Sequence, residues 1–186
     1  MFAQNIEYGF GHILDPNGLD HVLFLILIAL PFFLSDWKKV LILATAFTIG
    51  HSVTLSLAAF SIISFNSQII EILIALSILI AAVFNIMAVT SHSNLKNRYS
   101  SALIFGLIHG MGFSGLFRSL YGKDELLIPL LGFNIGLELA QILVVLLVLI
   151  LNELVVRRGG LLKNKWILTI SIITALWAIK LILERL

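Results

Sequence analysis

The sequence predicts an all-α protein, a polytopic bundle of membrane-spanning helices. Of its 186 residues, 60% are hydrophobic and 12% are charged, and the mean hydropathy is +1.08. Soluble domains have about half apolar and a quarter charged residues. Lipid accepts long apolar segments when every backbone group is paired inside a helix, and the alternation of apolar and polar residues typical of a membrane β-barrel is absent from the sequence.

The apolar segments indicate how many helices cross the membrane. About 20 apolar residues cross a bilayer, and six segments fit that length or approach it: 19–34, 40–60, 69–89, 101–120, 126–156 and 166–183. The first is short, and the fifth is long enough to tilt or to project beyond the membrane. We therefore expect a single transmembrane domain over residues 1–186.

A short amphipathic segment precedes the first predicted span. Phe2, Ile6, Phe10 and Ile13 recur at helical spacing before Pro16, which allows a short interfacial helix. A frayed terminal segment is the alternative. The segment lacks the basic residues that begin a cleavable signal peptide.

The cations predict the orientation. Of the 12 Lys and Arg residues, most follow the first, third and fifth spans: Lys38, Lys39, Lys96, Arg98, Arg157, Arg158, Lys163 and Lys165. The others, Arg118, Lys123, Lys180 and Arg185, fall on the opposite side. Cytoplasmic loops carry the excess of Lys and Arg, so both termini are expected outside. The cations are dispersed among short loops, which argues against nucleic-acid binding.

Ionisable residues lie inside or at the edge of the spans. They are Asp20, His21, His51, Glu71, His109 and Glu138. Each costs roughly 2.5–3.5 kcal/mol in hydrocarbon, and at ~1.5 Å per helical residue they all fall between the midplane and the outer surface. We predict that these six side chains converge on one divalent metal ion, whose charge would stabilise the ionised acids.

The ligand types restrict the metal without choosing one. The chain has no cysteine, so a thiolate site is excluded, and nitrogen and oxygen ligands favour nickel, cobalt, zinc or ferrous iron over cuprous copper.

Several of these residues have a simpler structural interpretation. Asp20 and Glu71 stand near helix starts, where carboxylates act as caps. His51, His109 and Glu138 are too deep for caps, and a buried hydrogen-bond network or proton relay is the competing explanation for them.

Three other polar residues have different expected roles. His12 is as consistent with an interfacial residue as with an outer ligand. His92 lies in a polar loop and is expected to be solvated, and Asn85 is expected to make an interhelical hydrogen bond.

Small residues predict close helix packing. The fifth predicted helix carries a polar stripe of Asn134, Glu138 and Gln141, and on its opposite side a ridge of Gly132, Gly136 and Ala140. The fourth is rich in glycine around His109, with Gly106, Gly110, Gly112 and Gly115. Such faces favour close helix contact over a helix break, and they could also support a homo-oligomer.

The motifs resemble the HupE/UreJ family of bacterial membrane proteins. The resemblance rests on residues 11–24, 45–55, 71–85, 105–113 and 133–141, and it covers the first five spans. It implies a secondary permease for nickel or a related metal in the bacterial inner membrane. His12 precedes Asp20 and His21 by more than in the His-x4-Asp-His motif of other nickel and cobalt permeases, so the resemblance does not carry it over as a ligand.

Three function classes follow from these residues. The leading hypothesis is a transporter that takes up a divalent transition metal from the outer side, in contact with membrane lipids. The alternative is an intramembrane zinc hydrolase in which Glu71 or Glu138 acts as base. Residues 112–115 also resemble the Gly-x-Ser-Gly of rhomboid proteases, but no histidine follows Ser114 to serve as base. A structural or metal-sensing subunit is a further possibility.

Overall fold

The structure is a computed structural model that describes residues 2–16, 18–89, 95–112, 115, 117, 121 and 126–186. Every regular element among these residues is helical. The α-helices are α1 (Phe2–Leu14), α2 (Asp20–Ala29), α3 (Trp37–Ala59), α4 (Ser67–Ala88), α5 (Leu95–Gly110), α6 (Leu127–Asn152) and α7 (Lys163–Arg185). A 3-10 turn at Leu34–Asp36 leads into α3, and α6 continues as a π-helical segment at Glu153–Arg158. The all-α prediction is confirmed for the described residues.

In the described part of the chain, four helices are long and apolar enough to cross a bilayer. With their extensions they are Leu34–Ala59, Ser67–Ala88, Leu127–Arg158 and Lys163–Arg185. The shortest has 22 residues, or about 33 Å at 1.5 Å per residue, against a hydrocarbon core of about 30 Å. Large apolar side chains such as Ile42, Leu147 and Leu176 point outward from them, as expected where lipid covers the surface. The chain is therefore a membrane protein.

Helix α2 is shorter than the first predicted span. It has 10 residues, or about 15 Å. It ends before Pro31, because proline lacks an N–H and disfavours helical geometry in the preceding residue. Asn152 binds the backbone carbonyl groups that follow the end of α2. Its Nδ2 donates to the oxygens of Phe32 at 2.8 Å and Leu30 at 3.2 Å. The end of α2 is thereby held at the end of α6.

The predicted helix near the N-terminus is present, and it lies along α6. A Cβ added at Gly9 would overlap the carbonyl oxygen of Phe133, and one at Gly136 would overlap that of Ile6. Gly132 lies against Phe2, so residue numbers rise together along the contact and the two helices run parallel. The ridge of small residues on α6 is therefore a helix contact, as the sequence predicted.

Helices α3 and α5 make a second parallel contact of the same kind. A Cβ at Gly50 would overlap the carbonyl oxygen of Leu103, and one at Gly106 would overlap that of Phe47. Gly110 meets the carbonyl oxygen of His51 in the same way. Close packing is thus confirmed for Gly106 and Gly110, and α5 also ends at Gly110.

Asn85 joins α4 to α2. It is 1% exposed, and its Nδ2 donates to the carbonyl oxygen of Leu27 at 2.8 Å. The predicted interhelical hydrogen bond is confirmed.

Some sequence predictions lie outside the described residues. They concern His92, Ser114, Arg118, Lys123 and the end of the fourth predicted span. The described part of that span is α5, which begins at Leu95, earlier than predicted, and ends at Gly110.

The α1–α6 contact can be tested with two glycines of the same helix. Gly9→Ala introduces a Cβ into the backbone of α6, whereas a Cβ at Gly11 would have nothing within 4 Å. Overpacking costs typically 1–3 kcal/mol, so we expect Gly9→Ala to lower the thermal unfolding midpoint of the detergent-solubilised protein.

Gly11→Ala is the matched control. Alanine is favoured over glycine inside a helix by up to about 1 kcal/mol, so this variant should keep or raise the midpoint. Equal midpoints for the two variants would contradict the close contact of α1 with α6.

Candidate metal site

Four histidines from four helices meet inside the bundle. His12 of α1, His21 of α2, His51 of α3 and His109 of α5 are here called the imidazole cluster. Their ring centroids are separated by 4.6 Å for His12 and His21, 5.9 Å for His12 and His51, 5.7 Å for His21 and His51, and 5.1 Å for His21 and His109. His21, His51 and His109 are buried, with 6%, 0% and 1% of their surface exposed.

Three of these rings approach metal-binding geometry. One ring nitrogen each of His12, His21 and His51 lies within 4.8 Å of the others. Ligands at 2.0–2.1 Å around a tetrahedral ion lie about 3.3 Å from one another. To bind an ion, the two ring nitrogens that lie farthest apart would therefore have to approach each other by at most about 1.5 Å. Rotation of the imidazoles about their side-chain torsions can supply this movement.

His109 has one ring nitrogen oriented by the backbone. Its Nδ1 lies 2.8 Å from the carbonyl oxygen of Phe105. Because a carbonyl can only accept, Nδ1 carries the proton and Nε2 of the neutral ring keeps its lone pair. Metal-binding histidines are typically oriented by such a bond from the second nitrogen.

Other ring nitrogens of the cluster are buried without a hydrogen bond. Among the described residues no partner is found for Nε2 of His21, for either ring nitrogen of His51 or for Nε2 of His109. A buried polar group left unsatisfied costs about 1–3 kcal/mol. A bound cation would use these lone pairs, so the residues present fit a metal ion.

Phenylalanines surround the cluster. Phe47 lies 5.1 Å from His109 and 6.0 Å from His21 between ring centroids, and it stacks on Phe24 at 5.0 Å. Phe133 stacks on His51 at 6.4 Å. These rings exclude water, so an ion that enters has to exchange its hydration shell for imidazole nitrogens.

The local sequence explains why the rings lie at one level. His51 follows Gly50 and His109 precedes Gly110, and both glycines lie in the α3–α5 contact. His12 occupies the last turn of α1 and His21 the first turn of α2. The break between α1 and α2 therefore lies beside the cluster.

The predicted ligands Asp20 and Glu71 have other partners. Asp20 Oδ2 accepts from Nη2 of Arg185 at 2.9 Å, and these two side chains are only 13% and 19% exposed. The same guanidinium donates through Nη1 to the Glu71 carbonyl oxygen at 2.9 Å, while the Glu71 carboxylate is half-exposed and lies 3.9 Å from Arg185 Nε. Both acids thus hold the end of α7.

Glu138 takes part in the contact between α3 and α6. It accepts a 2.6 Å hydrogen bond from Thr45 Oγ1. Two similar bonds join the same helices, from Ser52 to Asn134 at 2.6 Å and from Thr48 to Gln141 at 2.8 Å. The polar stripe of α6 therefore aligns α6 with α3, and no carboxylate joins the three-imidazole group among the described residues.

The structure thus brings His21, His51 and His109 together, adds His12, and leaves Asp20, Glu71 and Glu138 in other contacts. The sequence does not decide whether His12 is a ligand. Gly9, one helical turn earlier, is a signal that α1 packs closely against the small-residue ridge of α6. Arg185 was counted only as a flanking cation. Nothing in the sequence pairs it with Asp20, 165 positions away.

The ion pair between Asp20 and Arg185 can be tested by a double-mutant cycle. Asp20→Asn and Arg185→Gln should each lower the thermal midpoint, and the double variant should lose much less than the sum, because each single change leaves a partly buried partner unpaired. We expect a coupling on the order of 1–3 kcal/mol.

A matched cycle with Lys180→Gln and Glu184→Gln controls for exposed pairs of the same helix, since that pair is more than half exposed. Additive effects of Asp20→Asn and Arg185→Gln would show that the pair does not hold α7.

The family model described as HupE / UreJ protein matches residues 1–185, so the chain belongs to the HupE/UreJ family. No curated protein and no solved structure matches it.

Proposed function

We propose that this member of the HupE/UreJ family is a permease that binds a divalent transition-metal ion at the imidazole cluster and carries it across the membrane. The family is associated with the transport of nickel and other metals. The observation that supports the proposal is the approach of three ring nitrogens, from three helices, to within 4.8 Å.

The ligand chemistry restricts the ion. Imidazole suits nickel, zinc, copper and iron, whereas magnesium and calcium prefer oxygen ligands. We propose nickel, cobalt, zinc or ferrous iron as the substrate. His12, His21 and His51 would supply the first three nitrogens and Nε2 of His109 the fourth, because its ring lies beside His21.

The absence of a carboxylate from the three-imidazole group suits a carrier. Four neutral imidazoles leave the two positive charges of the ion uncancelled in a medium of low dielectric constant, where a nearby anion would hold the ion strongly. A site of this kind binds through coordination alone and can release its ion after a small change of geometry.

The arrangement of α1 and α2 suggests one membrane-spanning helix that is interrupted between them. α1 begins beside Gly132 near the start of α6, and α2 ends beside Asn152 at the end of α6. Their 13 and 10 residues correspond to about 35 Å of helix. We propose that the two half-helices together form the first of six crossings, with both termini outside the bacterial inner membrane. Discontinuous helices of this kind form ion sites near the midplane of secondary transporters.

The outer side of the imidazole cluster carries side chains of both negative and positive charge. Asp20 and Glu71 lie with Arg185 at the end of α7. The carboxylates would attract an incoming cation, and the guanidinium would compete with it for Asp20, which directly precedes the ligand His21.

The hydrolase alternative needs a base beside the metal-bound water. Glu138 is hydrogen-bonded to Thr45, and Glu71 is half-exposed next to Arg185. Neither geometry favours that role, so we do not propose it.

Metal binding can be measured by elemental analysis of gently purified protein. We expect His51→Ala to lose most of a stoichiometric transition metal, because His51 belongs to the three-imidazole group. Glu71→Gln should retain it, because this carboxylate lies in another contact. Equal metal content in His51→Ala and the unmodified protein would remove the imidazole cluster as the site.

Transport can be separated from binding in proteoliposomes that contain a metal-sensitive dye. The unmodified protein should carry nickel, cobalt, zinc or ferrous ions inward faster than empty vesicles do. His21→Ala should reduce the initial rate by at least tenfold, since even the loss of a residue that only orients a metal ligand typically costs roughly 10–100-fold in metal affinity.

Glu184→Gln, a change at an exposed side chain of α7 whose partner is Lys180, should leave the rate unchanged. Stoichiometric metal binding without any uptake would support a storage or sensing role and contradict the permease.

A further inference from the structure

Two cavities adjoin at the end of the bundle where α4 ends and α5 and α7 begin. The first has a volume of about 290 Å³ and is lined by the polar side chains of Asn85, Arg98, Lys163 and Asn164. It faces the side on which the Lys and Arg residues concentrate, which is the cytoplasmic side by the positive-inside rule.

The second cavity is mainly apolar. It also measures about 290 Å³ and is lined by Leu27, Leu43, Phe84, Met87 and Phe105, among others. Asn85, Ala88 and Arg98 line both cavities, so the two lie side by side. Each volume is near the lower limit of about 300 Å³ for small-molecule sites, so an amphiphilic molecule could place a different part in each.

The charge of the polar cavity favours an anion. Its described lining includes two cations, Arg98 and Lys163, and no acid. The nearby carboxylates pair elsewhere: Asp36 binds Lys39 at 2.8 Å, and Glu153 binds Arg157 at 3.1 Å. The two cations also argue against this cavity as an exit for a metal ion.

Each cationic group at the polar cavity has a defined contact. Arg98 Nη1 donates to Asn85 Oδ1 at 3.0 Å, and Asn85 is in turn bound to the backbone of α2. Lys163 is exposed at the first position of α7, and its Nζ lies 4.9 Å from the centroid of the Phe33 ring. Arg98 is therefore held from within the bundle, whereas Lys163 stands at the rim of the polar cavity.

We propose that these cavities bind an anionic phospholipid of the cytoplasmic leaflet. Its phosphate lies between Arg98 and Lys163, and the first part of an acyl chain occupies the apolar cavity. Basic pockets between transmembrane helices on the cytoplasmic side recognise lipid headgroups in this way. The apolar cavity is lined by Phe24 and Phe105, which lie against His109, and the binding of a lipid there goes beyond metal transport.

The headgroup contact can be tested by native mass spectrometry of the full chain in detergent. The probes are phosphatidylglycerol and phosphatidylcholine with the same acyl chains. We expect phosphatidylglycerol to bind more tightly, and Lys163→Gln to weaken it about fivefold, the effect of one Lys near an anionic lipid. Lys165→Gln is the matched control, because it removes the same charge two residues away and outside the cavity lining.

The acyl-chain contact has its own variant. Ala88→Phe fills the junction of the two cavities and should reduce phosphatidylglycerol binding while the stoichiometric metal content stays unchanged, which also shows that the variant is folded. Competition by inorganic phosphate at millimolar concentration would identify a free-anion site and overturn the lipid. Equal binding of both phospholipids, or equal effects of Lys163→Gln and Lys165→Gln, would overturn it as well.

Discussion

The position of the imidazole cluster depends on two parallel helix contacts in which backbone meets backbone. In lipid no hydrophobic force drives helices together, so association relies on packing and on small residues that allow close approach. Gly106 lies on the carbonyl of Phe47, and Gly136 on that of Ile6. An imidazole is a short side chain, and rings from four helices can meet only if the helix axes are close. These glycines therefore determine the cluster although none of them is a ligand.

The polar residues inside the bundle have two different roles. One set forms hydrogen bonds between helices: Thr45 with Glu138, Thr48 with Gln141 and Ser52 with Asn134 join α3 to α6. The other set comprises His21, His51 and His109, each of which has a buried ring nitrogen with no hydrogen-bond partner among the described residues. Because the hydrogen bonds align α3, they also determine the direction of the His51 ring. The carboxylate of Glu138 thus supports the site from outside it.

The features that the sequence predicts correctly are those encoded by residues close together in the chain. The long apolar helices, the glycine ridges and Asn85 follow from composition and spacing. Counting depth along a helix cannot say which way the side chains of Glu71 and Glu138 point, because neighbouring helix positions differ by about 100°. His12 was left open because Pro16 and the break after α1 hide how its helix continues. The pairing of Asp20 with Arg185 depends on where α7 ends, which no local pattern encodes.

The break between α1 and α2 gives the cluster an electrostatic field that depends on helix direction. Both half-helices run the same way along α6, so the C-terminal end of α1 and the N-terminal end of α2 face the break. A helix carries roughly half a negative charge at its C-terminus and half a positive charge at its N-terminus. His12 therefore lies where a cation is favoured, and Asp20 where an anion is favoured. The α1 terminus contributes only about 0.3–2 kcal/mol, and the positive end of α2 at His21 opposes it, so the helix termini alone would attract an ion only weakly.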